Sequence, residues 1–160
     1  MKSSILIRPY RPTDSDATIE IFLRAIREVS SKDYSPDQIN AWAQVEDPAK
    51  WAERRISRPA WIAEIGGKPV GFSDLTPDGC LDMMFVHPEF QGLGVAGRLL
   101  TRVEEEARRL GMERIYTQAS LTVRPFFERK GFRVFTRQTV ERRGQRLDNF
   151  VMEKFYSRCC

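Results

Sequence analysis

The sequence predicts an α+β domain built around a mixed sheet, and three observations predict it. Hydrophobic periodicity changes from a helical to a strand period after Pro59. Glycine and Pro-Asp-Gly turn signals then separate short apolar runs of strand length. Two later helical stretches are each flanked by strands, which mixes hairpins with βαβ crossovers and fits a doubly wound sheet less well. At 160 residues, 41% of them apolar, the chain has the size and composition of one domain spanning 1–160, with a frayed tail at the last few residues.

Ser4 to Arg8 reads as an opening strand, stopped by Pro9 and Pro12. Thr13 or Asp14 can cap a helix whose apolar residues Ile19, Ile21, Phe22, Ala25, Ile26 and Val29 share one face. Ser35-Pro36-Asp37 is a second cap, for a short helix through Trp42, and Pro48 opens a third helix through Trp51 to Ile56. Ala60 to Ile65 and Pro69 to Ser73 form a hairpin across Gly66-Gly67. Thr76-Pro77-Asp78-Gly79 is a turn, and a strand from Cys80 to Val86 follows it. The strongest helix runs from Val95 to Leu110, burying Val95, Leu99, Leu100, Val103 and Ala107 and stopping at Gly111. A strand over Glu113 to Ala119, a helix over Thr122 to Lys130, and strands over Phe132 to Glu141 and Leu147 to Phe155 about the Arg143-Gly144 turn complete the chain.

Composition excludes several classes. The net charge of +4 is spread over single and paired arginines, suiting an anionic ligand but not a nucleic-acid tract. Cys80, Cys159 and Cys160 make neither a disulfide framework nor a metal-ligand spacing. No segment approaches the ~18 apolar residues of a membrane span, and Met1 to Arg11 lacks a signal peptide's hydrophobic stretch, so the expected location is cytoplasmic.

The informative feature is a strand end, the turn His87-Pro88-Glu89-Phe90, then Gln91-Gly92-Leu93-Gly94-Val95-Ala96-Gly97 and an amphipathic helix. Glycines let backbone approach an anion, N–H groups converge on it, and the helix macrodipole places roughly half a positive charge behind them. The stretch also matches the dinucleotide pattern G-x-G-x-x-G. That fingerprint expects the glycine directly after the strand and an acidic end to the next strand, whereas this one ends Thr117-Gln118-Ala119-Ser120. The remaining alternative is a glycine-rich helix cap without a ligand.

Val86 to Leu100 resembles the pyrophosphate motif of the GNAT superfamily of acetyl-CoA-dependent N-acetyltransferases, Gln/Arg-x-x-Gly-x-Gly/Ala after a Val-x-Pro strand end. Phe126-Phe127-Glu128-Arg129-Lys130-Gly131-Phe132 is similar to that family's aromatic-x-x-x-Gly-Phe element. The resemblance implies a mostly antiparallel sheet of about seven strands flanked by helices and splayed between strands four and five. It implies acetyl-CoA as co-substrate and no metal, with Met84, Phe85 and Val86 along the pantetheine arm. Gln91, Gly92, Leu93, Gly94, Val95, Ala96 and Gly97 would then hold the pyrophosphate, with Ser120 and Arg124 near the cofactor at the next helix.

The implied reaction is direct attack of a primary amine, of a small molecule or peptide, on the thioester. It needs a neutral amine, a stabilised oxyanion and a proton for the thiolate. A backbone N–H of Phe85 or Met84 is the expected oxyanion donor. Asp82 is the base candidate: strand alternation places it with Met84 and Val86, opposite Leu81, Met83 and Phe85, and apolar neighbours would raise its pKa. The alternative is an Asp82 facing solvent or paired with an arginine. The family's frequent tyrosine acid is here Phe127, which leaves Tyr116, water or an unassisted thiolate. His87 reads as structural, and Cys80 with His87 as a nucleophilic pair is rejected, since extended chain would separate them by roughly 20 Å.

Tyr34, Trp42 and Trp51, with Glu28 and Asp33, are candidates for a pocket that takes a cationic amine, or else the aromatics are simply core. A second copy of the chain is admitted as a partner, nucleic acid and membrane are not. The rival functional reading, prompted by Phe127, is a non-catalytic acyl-CoA-binding module.

Overall fold

The computed structural model describes residues 4–157; Cys159 and Cys160, and the tail expected to fray, fall largely outside them. Strand β1 (Ile5–Pro9) is followed by helices α1 (Ser15–Glu28), α2 (Pro36–Trp42) and α3 (Pro48–Ile56). Then come β2 (Ala60–Ile65), β3 (Lys68–Asp74), β4 (Met84–Val86), α4 (Val95–Arg109), β5 (Arg114–Ser120), α5 (Arg124–Arg129), β6 (Arg133–Arg142) and β7 (Gln145–Phe155). The seven strands form two antiparallel sheets, ordered β1-β2-β3-β4 and β5-β7-β6.

Local chemistry explains most of the boundaries. Ser35 accepts the Gln38 N–H while the Gln38 side chain takes the Ser35 N–H, a capping box with Pro36 at the first helical position. Asp47 caps α3 through the N–H groups of Ala49 and Lys50. Asp14 is not a side-chain cap of α1; its carboxylate instead takes Arg8 and the Arg11 N–H, tying the helix to β1.

The central strands β2 and β3 are buried on both faces. Trp61, Ala63 and Val70 face α4, where Leu99, Leu100 and Val103 pack with Ile115 and Met152. Ile62 and Phe72 face the other way, against Phe22, Ile26 and Trp51. A full apolar side chain contributes roughly 1.5–3 kcal/mol on burial, so these two layers carry the fold. Gly71 lets α4 sit close: a Cβ there would lie 2.9 Å from Val95 Cγ1 and 3.2 Å from the Phe85 carbonyl oxygen.

The continuous strand expected from Cys80 to Val86 is divided. Its first part leans on β5: Leu81 N–H donates to Tyr116 O at 2.8 Å, Tyr116 N–H to Gly79 O at 3.0 Å, and Thr117 Oγ1 to Leu81 O at 2.8 Å. Its last part pairs with β3 instead, where Asp74 N–H and Ser73 Oγ donate to Met83 O, and Met83 N–H donates to Asp74 Oδ1 at 2.8 Å. The handover breaks strand alternation. Leu81 packs in the same layer as Met84 and Val86, while Met83 and Phe85 pack in the other, so the alternation expected across Leu81 to Val86 holds only from Met83 onward.

Asp74 is fully buried and ion-paired with Arg55, itself buried and stacked on Trp51 at 4.7 Å. Burial pushes the Asp74 carboxyl up, and the Arg55 guanidinium opposes that rise. Removing one member of such a pair strands the other without water. Asp74→Ala therefore costs about 3 kcal/mol of stability, measured by urea unfolding, with Asp74→Asn milder because the amide oxygen still accepts the Met83 N–H.

Candidate active site

Among the described residues, strand β4 borders only β3, and β5 borders only β7. The segment leading into β4 touches β5 at a parallel bridge, Cys80 with Tyr116, and the two chains part beyond it. The phase of the β3–β4 ladder is set by Asp74 N–H to Met83 O and His87 N–H to Val70 O at 2.8 Å. Antiparallel ladders alternate, so Phe85 is the residue bonded to Phe72, and the N–H groups of Met84 and Val86 face the gap. Of the two expected oxyanion donors, Met84 has the open geometry.

A cleft of about 590 Å³ occupies that gap. Its wall includes Met84, Phe85, Val86, Gln91, Gly92, Gly94, Val95, Ala96, Gly97 and Ser120, ten of the residues expected along the cofactor. Gly92 and Gly94 have φ of +76° and +88°, and a Cβ on either would project into open space. Gly94 begins α4 without a side-chain cap, so the first-turn N–H groups remain available to an anion. Gln91 Nε2 donates to Val86 O at 3.0 Å, fastening the loop to the strand end. Lys130 Nζ lies 3.5 Å from where a Gly97 Cβ would sit, and Arg129 lines the same cleft, adding cationic charge beside the loop. The donor set fits a pyrophosphate, and the apolar gap fits a pantetheine arm.

Other expectations need correction. The Leu93 side chain projects to solvent, 56% exposed and outside the wall, which leaves its main-chain N–H as the only group it can offer an anion in the loop. Arg124 pairs with Glu128 and stacks 4.4 Å from the Phe150 ring, so α5 presents Arg129 to the cleft instead. Tyr116 lies in neither cleft wall; its hydroxyl donates to Asp78 Oδ2 at 2.6 Å, and that bond drives its pKa up. Asp82 is not enclosed by apolar groups: its side chain is 43% exposed and paired with Arg58 at 3.0 Å. Phe127 is buried between Phe126 and Phe132 and offers no proton.

His87 is buried; its Nδ1 accepts the Glu89 N–H at 3.1 Å and its Nε2 sits 2.9 Å from Arg24 Nη1. Burial and the charges of Arg24 and Lys68 hold its pKa down, as suits a neutral structural ring. The Cys80 thiol is pushed up to about 12 by burial, the opposite of an activated nucleophile.

A second cleft, about 540 Å³, adjoins the first and is walled by Tyr34, Trp42 and Trp51. Tyr34 and Trp51 are core and wall at once, and the half-buried Trp42 packs against them. Tyr34 Oη donates to Asp148 O at 2.6 Å and accepts the Leu121 N–H at 3.0 Å, and Trp51 Nε1 donates to Thr18 Oγ1 at 2.9 Å. Glu28 and Asp33 do not line it: Glu28 pairs with Arg24, and Asp33 accepts the Thr122 hydroxyl at 2.8 Å. Trp42, Leu81, Asp82, Phe85, Gln118 and Ser120 line both clefts. Among the described residues, Asp82 is the one ionisable side chain common to both walls. No group of His, Cys, Asp and Glu among the described residues has a metal-site arrangement.

Comparison with known proteins bears on the fold and the family. Residues 30–154 match the model of the acetyltransferase (GNAT) domain. The chain is 40% identical to the uncharacterised N-acetyltransferase YafP of Escherichia coli, over 94% of this chain and 95% of that one. It superposes on a GCN5-related N-acetyltransferase from Rhodopseudomonas palustris with a TM-score of 0.93 at 35% identity, covering 98% and 99% of the two chains. The fold is shared with the PaiA N-acetyltransferase of Thermoplasma acidophilum in complex with coenzyme A, at TM-score 0.78 and 19% identity, over 96% and 99%.

Filling the loop should block the anion and spare the fold. Gly94→Val adds backbone strain of roughly 1–2 kcal/mol, whereas Ala96→Leu keeps a good helix former without such strain. Both are expected to weaken coenzyme A binding about tenfold or more by calorimetry, with the far-ultraviolet circular dichroism of Ala96→Leu unchanged.

Proposed function

This chain belongs to the GNAT family of acetyltransferases, and from that premise we propose that it moves the acetyl group of acetyl-CoA to a primary amine of a small molecule or peptide by direct attack. It is an acetyl-CoA-dependent acyltransferase by family; the acceptor and the residue roles are the proposal. The observation that carries the reading is the junction of the two clefts, one with an anion cradle and the other with aromatic walls, at a single carboxylate, Asp82.

In this reading Met84 and Val86 hold the pantetheine amides through their gap-facing backbone. Gln91 braces the loop, and the N–H groups from Gly92 to Gly97 hold the pyrophosphate. The Met84 N–H faces the space where a thioester carbonyl would lie and stabilises negative charge developing there. The amine attacks in its neutral form, and Asp82 takes, directly or through water, the proton that the nitrogen loses as the new bond forms. The new bond joins amine nitrogen to carbonyl carbon, the carbon–sulfur bond breaks, and the electron pair leaves on sulfur. Because Phe127 carries no hydroxyl and Tyr116 is committed to Asp78, the departing thiolate is protonated from solvent.

Asp82→Asn is expected to lower kcat by about 10²-fold, the range of a positioned base, while acetyl-CoA affinity by calorimetry stays within about twofold. Unchanged kcat would remove Asp82 as the base. Acetyl-CoA binding without coenzyme A release from any amine of a broad panel would favour the non-catalytic acyl-CoA-binding reading.

A further inference from the structure

The charges around the second cleft are unequal in a way that bears on the acceptor. Its wall carries Lys50, Arg54, Arg142 and Arg143 against Glu46, Asp47 and Asp82. All three carboxylates are already engaged. Glu46 pairs with Arg143 at 2.8 Å, Asp47 caps the N–H groups of Ala49 and Lys50, and Asp82 pairs with Arg58 at 3.0 Å. Lys50, Arg54 and Arg142 have no ion-pair partner among the described residues and stand exposed on the rim. Three uncompensated cations converging on one cleft repel a polycation and attract an anion, and guanidinium groups grip planar carboxylate or phosphate oxygens in pairs.

Deeper in the same wall an acceptor is missing a donor. Asn149 Oδ1 is buried with no hydrogen-bond partner, although Asn149 is the register partner of Ser120 on β5 and of Gln138 on β6. Gln138 Nε2 is also buried and unpartnered, so this cross-strand pair does not satisfy itself. An orphaned amide oxygen costs free energy unless a ligand or water completes it. Its strand neighbour Ser120 lines both clefts, which puts the orphan beside the junction where a nucleophilic nitrogen must arrive.

We infer that the acceptor is a dipolar small molecule: a primary amine whose other end carries a carboxylate or phosphate, with an apolar or aromatic body between. Lys50, Arg54 and Arg142 hold the anionic end at the rim. Tyr34, Trp42 and Trp51 flank the body, and Asn149 Oδ1 accepts an amine N–H at the junction. This rests on the acetyl-transfer reading of the same site. It reverses the expectation of a pocket for a purely cationic amine, because the carboxylates that would hold one are paired or lie elsewhere.

The test compares matched pairs on the coenzyme A-loaded protein by calorimetry and on the acetyl-CoA-loaded protein by thiol release. The probes are ω-amino acids of graded chain length against their own carboxamides, and phosphoethanolamine against ethanolamine. At least about a tenfold preference for the anionic member is expected in both assays; a preference confined to one arm identifies carboxylate or phosphate as the group. Arg54→Gln with Arg142→Gln is expected to shrink that preference to about twofold through KM rather than kcat. Equal binding of both members, or stronger binding of spermidine, would overturn the inference. Preferential binding of the anionic member without acetylation of any amine would uphold it and defeat acetyl transfer instead.

Discussion

The buried carboxylate of Asp74 decides where the fourth strand goes. It takes the Met83 N–H, and its own backbone N–H meets Met83 O, so the chain is pulled toward β3 within three residues of leaning on β5. Arg55 compensates the charge, and Trp51 stacks on Arg55. Without that hold, Leu81 to Val86 could continue along β5 and close the sheet. With it, the gap between β4 and β5 stays open and the N–H groups of Met84 and Val86 have no neighbouring strand. Unpaired strand edges are a liability on a protein surface. Here the open edge is short, and in the proposed reading it presents peptide groups to a ligand that carries peptide groups of its own.

The rest of the site follows from that opening. Gly71 allows α4 to rest on β3, which brings the uncapped start of the helix to the mouth of the gap. Gln91 then fixes the intervening loop to Val86, so the anion-binding turn and the open strand edge are held by one short stretch of chain. Tyr34, whose hydroxyl joins the Leu121 N–H to Asp148 O, holds the start of the α5 turn against β7 on the far side. In the proposed reading the cofactor half is made chiefly of backbone, while the acceptor half is made of side chains. That difference explains why the first half has a signature legible in local sequence spacing and the second has none.

Much of this was legible in the sequence. The helix from Val95, the hairpin at Gly66-Gly67, the Ser35 cap and the glycine loop all rest on local spacing, and each appears where that spacing puts it. What local spacing cannot register is a side chain capturing backbone nine residues away. The Asp74 to Met83 bond shortens β4 and breaks its alternation, so a reading by parity misplaced Leu81. The same kind of distant pairing turned Tyr116 toward Asp78, Asp82 toward Arg58 and Arg124 toward Phe150. Arg129 and Asn149 had no pattern to mark them; their significance appears only once α5 and β7 are set against the gap.

The account's central claim is that the open edge of β4 and the uncapped turn of α4 together bind acetyl-CoA. Amide hydrogen exchange resolved by residue, with and without acetyl-CoA, tests it most directly. The N–H groups of Met84, Val86, Val95, Ala96 and Gly97 should gain protection of about tenfold or more, while those of β6, remote from the gap, do not change. Unaltered exchange at Met84 and Val86 under saturating acetyl-CoA, or protection confined to another surface, would contradict it.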